Sequence, residues 1–207
     1  GQSTYTITSS VQGEVDRGVI IGLNAGDESG LTLRHVGNQG SILSNVTTRA
    51  ATIGDGPDAN GTLNVVTGAF HVTGSMFGER QFIVGRHGHG VVNLTGGPGT
   101  GVHVTGSNST TSLSRYRTGV GEVTVSNGSI WVNHDQLWVG ENGVGTFNVK
   151  DGGDLITSSH AGNTNIIGVF AGSSGHVTVT GAGSTWQSAN AIQVGNVGSG
   201  QLTIARG

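Results

Sequence analysis

The chain of 207 residues lacks several features that mark common classes of protein. It has no cysteine, which excludes a disulfide-stabilised scaffold and any cysteine-ligated zinc site. It has two prolines and one methionine, so neither a proline-rich linker nor a methionine-rich groove is indicated. No apolar run approaches the roughly 20 residues that a membrane-spanning helix needs, so we expect no membrane span.

Charge is also scarce, whereas glycine is abundant. Only 10% of residues are charged and the formal net charge is −3, so we expect no nucleic-acid partner. The chain has 40 glycines, and each glycine inside a helix costs roughly 1 kcal/mol relative to alanine, which excludes long helices. The glycines show no three-residue phase, which excludes collagen, and the many valines, isoleucines and threonines argue against disorder. The composition therefore predicts an all-β protein rich in turns.

A repeat runs through most of the chain. Its best-defined element reads glycine, any residue, apolar, Asn or Thr, apolar, at residues 61–65, 90–94, 121–125, 145–149, 175–179 and 200–204, with a looser copy beginning at Gly30. The leading glycines recur about every 28 residues. A second short strand ends in glycine at positions 22, 54, 85, 140, 168 and 195, and a third, less regular strand completes the unit. Three short strands and three turns make one coil, so the pattern predicts a right-handed single-stranded parallel β-helix of about seven coils.

Stacked coils also explain the polarity pattern of the best strand. Its apolar residues are expected to point inward, and the residue between them outward, because side chains alternate along a strand. The outward positions then form a polar stripe of Asn64, Asn93, Thr124, Asn148, Thr178 and Thr203. A β-propeller is the structural rival, but its blades need about 40 residues each. We treat residues 1–207 as one domain, with atypical N-terminal coils or a cap at 1–50 and regular repeats at 51–207.

Residues 175–186, 192–195 and 198–204 resemble the repeat of autotransporter passenger domains, which are exported by type V secretion. Some bacterial surface proteins with exosortase-type sorting signals carry the same repeat. The likeness is very close over 137–207, clear over 51–136 and weak over 1–50. The resemblance implies export through a Gram-negative outer membrane, to the cell surface or the medium. Because the repeat is still running at Gly207, we expect a fragment of a longer passenger.

Passengers include adhesins, proteases and receptor ligands, so catalysis has to be judged from the residues. Residues 26–30 are similar to the Gly-Asp-Ser-Gly motif of passenger proteases but have one residue too many, and nothing in the coil geometry brings His35 to Ser29. Asp151 and Asp154, the closest acid pair outside the N-terminal third, sit in a glycine-rich turn. We expect no catalytic residues and no enzyme activity. A polysaccharide-acting β-helix enzyme and a structural stalk or self-association module remain the alternatives.

Two closely spaced histidines suggest a metal site, but the number of available ligands is too small to support one. His87 and His89 can share one face of a strand, but a closed site needs three or four ligands and no third is assured. We therefore expect neither a metal nor another cofactor. His71 and His103 hold equivalent positions in successive coils and are expected to stack as a surface ladder.

The placement of charge suggests a binding surface. No Asp or Glu occurs between Arg80 and Gly121. Residues one period apart become neighbours when coils stack, so this window predicts a basic band at mid-height. Such a band suits an anionic partner, either a sulfated glycosaminoglycan or a host cell-surface protein. The predicted binding residues are Arg80, Arg86, His87, His89, Arg115, Tyr116 and Arg117.

The repeat breaks within the same window. Aligning residues 119–121 with 143–145 puts Arg115 in place of an inward valine and Tyr116 in place of the corner glycine, which predicts an outward contact loop. Ile83, Trp138 and Ile166 occupy the outward position of the glycine-ending strand and are hypothesised to form an exposed apolar stripe for adhesion or self-association.

These observations together predict a non-catalytic, secreted or surface-exposed passenger. It would bind host cells as an adhesin or as a ligand of a host receptor, and thus act as a virulence factor. For Trp186 we expect a core role.

Overall fold

The computed structural model describes residues 2–8, 13–15, 19–34, 45–73, 82–105, 109–158 and 163–206. Their strands are β1 (Gln2–Thr8), β2 (Gly13–Val15), β3 (Val19–Ile21), β4 (Glu28–Arg34), β5 (Asn45–Thr48), β6 (Ala51–Ile53), β7 (Asn60–Val65), β8 (Ala69–Val72), β9 (Phe82–Val84), β10 (His89–Leu94), β11 (Gly101–Val104), β12 (Thr111–Leu113), β13 (Val120–Val125), β14 (Ile130–Asn133), β15 (Leu137–Val139), β16 (Val144–Lys150), β17 (Asp154–Thr157), β18 (Thr164–Ile167), β19 (Ser174–Thr180), β20 (Thr185–Ser188), β21 (Ala191–Val194) and β22 (Ser199–Ala205). Across these ranges, no helix is long and apolar enough to cross a membrane.

The strands form three parallel sheets, because each coil adds one strand to each sheet. Sheet A has the order β1-β4-β7-β10-β13-β16-β19-β22, sheet B the order β2-β5-β8-β11-β14-β17-β20, and sheet C the order β3-β6-β9-β12-β15-β18-β21. Each strand therefore pairs with the strand three places later in the chain. The predicted fold class, an all-β parallel solenoid, is confirmed.

Along the strands of sheet A, side chains alternate between the buried inner face and the outer face, as expected. In β16, Gly145, Phe147 and Val149 are buried, while Thr146 and Asn148 are half-exposed. The register stacks the predicted polar stripe, which continues at its N-terminal end to Thr32, in one column. Side chains in that column bond along it, since the Nδ2 of Asn93 donates to the Oδ1 of Asn64 at 3.0 Å. Apolar residues therefore fill the inside, and amides and hydroxyls face outward.

Large aromatic side chains fill the middle of the core. Trp131 of β14 is fully buried, with ring centroids 5.2 Å from Phe82 and 5.4 Å from Phe147. Trp186 packs against this core, as expected, and its Nε1 donates to the Oγ1 of Thr157 at 3.2 Å. The irregular third strand of the repeat is therefore held in register by large inward residues rather than by a sequence motif.

A buried polar ladder lies between sheets B and C, where the sequence pattern predicts only core. Asn165 donates from Nδ2 to the Oγ1 of Thr157 and to the Oγ of Ser188, both at 3.0 Å. One coil away, the Oγ1 of Thr111 donates to the Oδ1 of Asn133 at 2.6 Å. Buried polar groups persist when they are hydrogen-bonded, and here the partners come from the same coil and from adjacent coils.

The first coils follow the same plan as the rest. Strand β1 pairs with β4, and β4 with β7, in an unbroken parallel register. Ser29 lies opposite Gly61, and Gly30 opposite Thr62, so the looser repeat copy begins at Ser29 rather than at Gly30. Serine and glycine are both small enough for that position, so glycine alone does not mark the start of the repeat.

The expected alignment of the broken repeat is wrong by two residues. Leu113 pairs with Val139, so the inward position is filled by leucine and not by Arg115. The next residue, Ser114, takes the corner with φ 60°, and Tyr116 lies beyond it in the turn.

Turn length explains this shift. Six residues lie between Ser114 and Gly121, but only four lie between Gly140 and Gly145. The two extra residues are accommodated in the turn, and β12 keeps its parallel register with β9 and β15.

Candidate functional site

The turns that lead from sheet C to sheet A stack on one another along one corner of the solenoid. Each begins with a corner residue of positive φ, and these are Gly22, Gly54, Gly85, Ser114, Gly140, Gly168 and Gly195. The N–H of Arg115 donates to the carbonyl of Gly85, and that of Tyr116 to the carbonyl of Arg86, both at 3.1 Å. Side chains at equivalent positions of successive turns are therefore neighbours.

This stacking gathers most of the predicted binding residues around Tyr116. The ring of His87 stacks on that of Tyr116, with centroids 4.3 Å apart and planes 11° apart. The guanidinium carbons of Arg86 and Arg115 lie 5.9 Å and 5.8 Å from the Tyr116 centroid. Tyr116 is 38% exposed, and the next residue, Arg117, is also exposed. We call these five residues the Tyr116 cluster; Arg80, predicted with them, lies outside the described residues.

Acidic residues from neighbouring coils meet the basic band, which is therefore not uniformly basic. The Nη1 of Arg86 lies 3.1 Å from the Oδ1 of Asp55, and the Nε2 of His89 lies 3.1 Å from the Oε1 of Glu122. Partial burial lowers the pKa of Arg86, but bonding to Asp55 and Tyr116 outweighs it and holds that pKa above its ordinary value. The window between Arg80 and Gly121 contains no acid, yet stacking supplies acids from both sides.

Glu141 is a further acid at this corner. It follows the corner residue Gly140, is only 5% exposed, and accepts a hydrogen bond from the Oγ of Ser112. A carboxylate from the turn is thus bound over the outer face of sheet C. Asp55 and Arg86 form an ion pair with each other. Of the three arginines in the cluster, Arg117 is the most exposed to solvent.

His87 and His89 line a small pocket beside the cluster. Its volume is ≈ 280 Å³, and its other lining residues are Asp58, Ala59, Asn60, Gly88, Thr118 and Val120. Asp58 has φ 56°, a left-handed conformation that non-glycine residues seldom adopt. Within the described ranges, no group of three or more His, Cys, Asp or Glu side chains is placed to hold a metal ion. We call this hollow the corner pocket.

The protease-like segment forms an ordinary turn and the start of a strand. The Oδ2 of Asp27 accepts from the backbone N–H and the Nδ2 of Asn24, at 3.1 Å and 2.9 Å. Ser29 belongs to β4 and lines a shallow hollow of ≈ 360 Å³ over sheet A with Glu28, Gly30, Thr32, Asn60, Thr62 and Asn64. His35 lies outside the described residues. In the other candidate acid pair, the Oδ1 of Asp154 accepts a hydrogen bond from the Oγ1 of Thr185 at 2.5 Å.

His71 and His103 stack on the outer face of sheet B, as their repeat positions predict. Their ring centroids are 4.9 Å apart and their planes differ by 14°. Burial lowers the pKa of both imidazoles, and for His103 the nearby His71 and His134 lower it further. The pair is half-buried, and the lowered pKa values favour the neutral form of both rings.

The predicted apolar stripe on sheet C is wrong at Ile83. The register does align Ile83, Trp138 and Ile166 in one outward column, through Ser112. Ile83 is only 3% exposed, however, and Trp138 and Ile166 are half-buried. Ser112, which lies between Ile83 and Trp138 in this column, is bonded to Glu141, so a buried polar pair interrupts the column there.

Exposed apolar side chains instead lie at the corner, which the repeat pattern does not indicate. Phe170 is 43% exposed and Val197 is 65% exposed. Each is the second residue after its corner glycine, as Tyr116 is the second after Ser114. Recognising Ser114 as the corner would have aligned these three residues from the sequence alone.

The fold and the site together define a parallel β-solenoid with an arginine- and aromatic-rich corner. Comparison with protein-family models, with curated proteins and with solved structures finds no match to this chain.

Proposed function

We propose that this chain is a non-catalytic passenger of the autotransporter type, exported to the bacterial surface or secreted, which binds host cells as an adhesin or receptor ligand. The parallel solenoid is compatible with such a passenger. The repeat over residues 137–207 supports the same assignment through its resemblance to passenger repeats. A stack of coils is a rigid support that presents its turns along fixed lines.

The Tyr116 cluster is the observation that carries this proposal. Tyrosine and arginine are among the residue types most enriched at the positions that contribute most binding energy in protein interfaces. Here an exposed tyrosine is held by a stacked imidazole and two guanidiniums, so little side-chain freedom remains to be lost on binding. Exposed Arg117 adds a cation whose partner is an anionic group, on a sulfated glycosaminoglycan or on a host cell-surface protein.

The test is binding of the purified chain to host cells, comparing wild type with R117S. We expect R117S to weaken binding about two- to fivefold, the range for one exposed charge interaction, and the loss to shrink at high salt. Lys150 is exposed at the end of β16, away from this corner, so K150S removes the same charge and serves as the matched control. Heparin is the second probe, because it presents anionic groups without protein.

Equal binding by wild type and R117S, on cells and on heparin, would remove the Tyr116 cluster from the proposal. Loss of binding in K150S to the same extent would mean that only net charge matters. Turnover of a host polysaccharide by the wild-type chain would favour the enzyme alternative instead.

A further inference from the structure

The corner pocket differs from the rest of the corner in its chemistry. It brings together the carboxylate of Asp58, the amide of Asn60, the hydroxyl of Thr118 and the imidazoles of His87 and His89. Such a set offers both hydrogen-bond donors and acceptors within a few ångströms. Its volume of ≈ 280 Å³ is just below the range for drug-sized ligands, so it suits a single small ring.

Two of these residues occupy a turn position that is glycine in the other two longer turns. In the longer turns, the fourth residue after the corner is glycine at Gly26 and Gly172, both with positive φ. The same position holds Asp58 and Thr118 in the two longer turns that contribute to the pocket. Asp58 keeps the left-handed φ that glycine adopts without strain, so its side chain is present at a conformational cost. Strained residues of this kind cluster at binding sites.

Both imidazoles of the pocket are held in place. The ring of His87 is stacked on Tyr116, and the Nε2 of His89 lies 3.1 Å from the Oε1 of Glu122. Because the carboxylate only accepts, Nε2 carries the proton, and in neutral His89 the Nδ1 is a hydrogen-bond acceptor. The pocket is therefore organised before any ligand binds.

Charge narrows the class of ligand. Asp58 and the nearby Glu122 repel a densely sulfated chain, whereas carboxylates and imidazoles readily accept from sugar hydroxyls. Arg117 is exposed and directly precedes Thr118, so a cation lies one residue along the chain from the pocket lining. A ring with several hydroxyls and one carboxylate matches this distribution.

We infer that the corner pocket binds one sugar residue that bears a single carboxylate, at the end of a host-cell glycan. Hydroxyls of the sugar donate to Asp58 and to the Nδ1 of His89 and accept from Asn60 and Thr118, while its carboxylate faces Arg117. This inference rests on the proposed function and names the partner of the same corner.

The decisive variant is D58G, which installs the residue that the repeat uses at Gly26 and Gly172. Because glycine suits this φ, the melting temperature should stay the same or rise. Binding is measured by titration with free N-acetylneuraminic acid and glucuronic acid, and with glucose as the neutral sugar. We expect D58G to lower the affinity for the acidic sugars at least tenfold, since bonds to a charged acceptor are lost.

Two further variants separate the contributions. Asp151 also has positive φ (52°) and is exposed on another turn, so D151G is the matched control and should bind like wild type. R117S should reduce the affinity for the acidic sugars to the level seen with glucose. Unchanged sugar binding in D58G, or equal competition by acetate, would overturn the inference.

The outcomes distinguish the inference from the function on which it rests. If D58G binds host cells like wild type while R117S does not, the pocket assignment fails and the proposed function stands. If neither variant affects cell binding, both fail.

Discussion

At the scale of single residues, the corner positions show how closely the turns are stacked. Ser114 takes a left-handed φ and donates from its Oγ to the carbonyl of Leu113 at 2.5 Å. Gly140 has nearly the same φ, but a Cβ there would collide with the backbone carbonyl of Ser174 in the next coil. The same backbone conformation therefore tolerates a side chain at one corner and excludes it at another.

A pair of substitutions measures this difference. S114G should stabilise by less than about 1 kcal/mol, because relief of the left-handed φ is offset by a more flexible unfolded chain. G140A should destabilise by more than about 2 kcal/mol, because strain in φ is added to the collision. Urea unfolding of the two variants checks the contrast, and equal effects would contradict the proposed close approach at Gly140.

At the scale of strands, ladders across neighbouring coils decide how the protein responds to its surroundings. The stacked pair His71 and His103 joins β8 to β11 on the outside of sheet B. Folding lowers both pKa values below the ordinary 6.5, so the unfolded chain binds more protons as the pH falls through that range. The contribution of this pair is complete above pH 6.5 and is lost below it.

We therefore expect a lower melting temperature at about pH 5.5 than at about pH 7.5, where imidazole is neutral. H103Q should show a smaller difference in melting temperature between these two pH values. It removes the imidazole whose pKa is lowered both by burial and by two neighbouring histidines. His176, which bonds Gln201 at 2.9 Å on another sheet, provides the control variant H176Q. A pH dependence that H103Q leaves unchanged would assign the effect to other groups.

At the scale of the whole molecule, the solenoid is a sum of neighbouring contacts. Residues Val120 and Gly121 lie opposite Val144 and Gly145, so residues 121–144 make one coil of the stack. Trp131 and its contacts to Phe82 and Phe147 belong to this coil. The Tyr116 cluster and the corner pocket are built from earlier residues.

Deleting residues 121–144 should leave a folded solenoid that melts at a lower temperature, because one coil and one coil interface are lost. Circular dichroism and thermal melting check this expectation. Deleting only 121–132 breaks the phase of the repeat and should prevent cooperative folding. If both deletions behave alike, the coils are not the independent units that the register implies.

The sequence by itself determined the class of fold, the three-strand coil and the outward polar stripe, because these follow from local alternation and a period that recurs many times. It also brought Arg86, His87, Arg115 and Tyr116 into one neighbourhood, since stacking makes residues one period apart adjacent.

Only the tertiary structure decided what those residues meet. Turn lengths vary between coils, so the repeat alone does not locate the corner residue of this coil. The pairing of Leu113 with Val139 shows that it is Ser114. Acids outside the basic window, Asp55 and Glu122, reach it through space, and burial of Ile83 depends on what covers the sheet. The corner pocket belongs to the same category, because its walls come from three successive coils and no single stretch of sequence contains them.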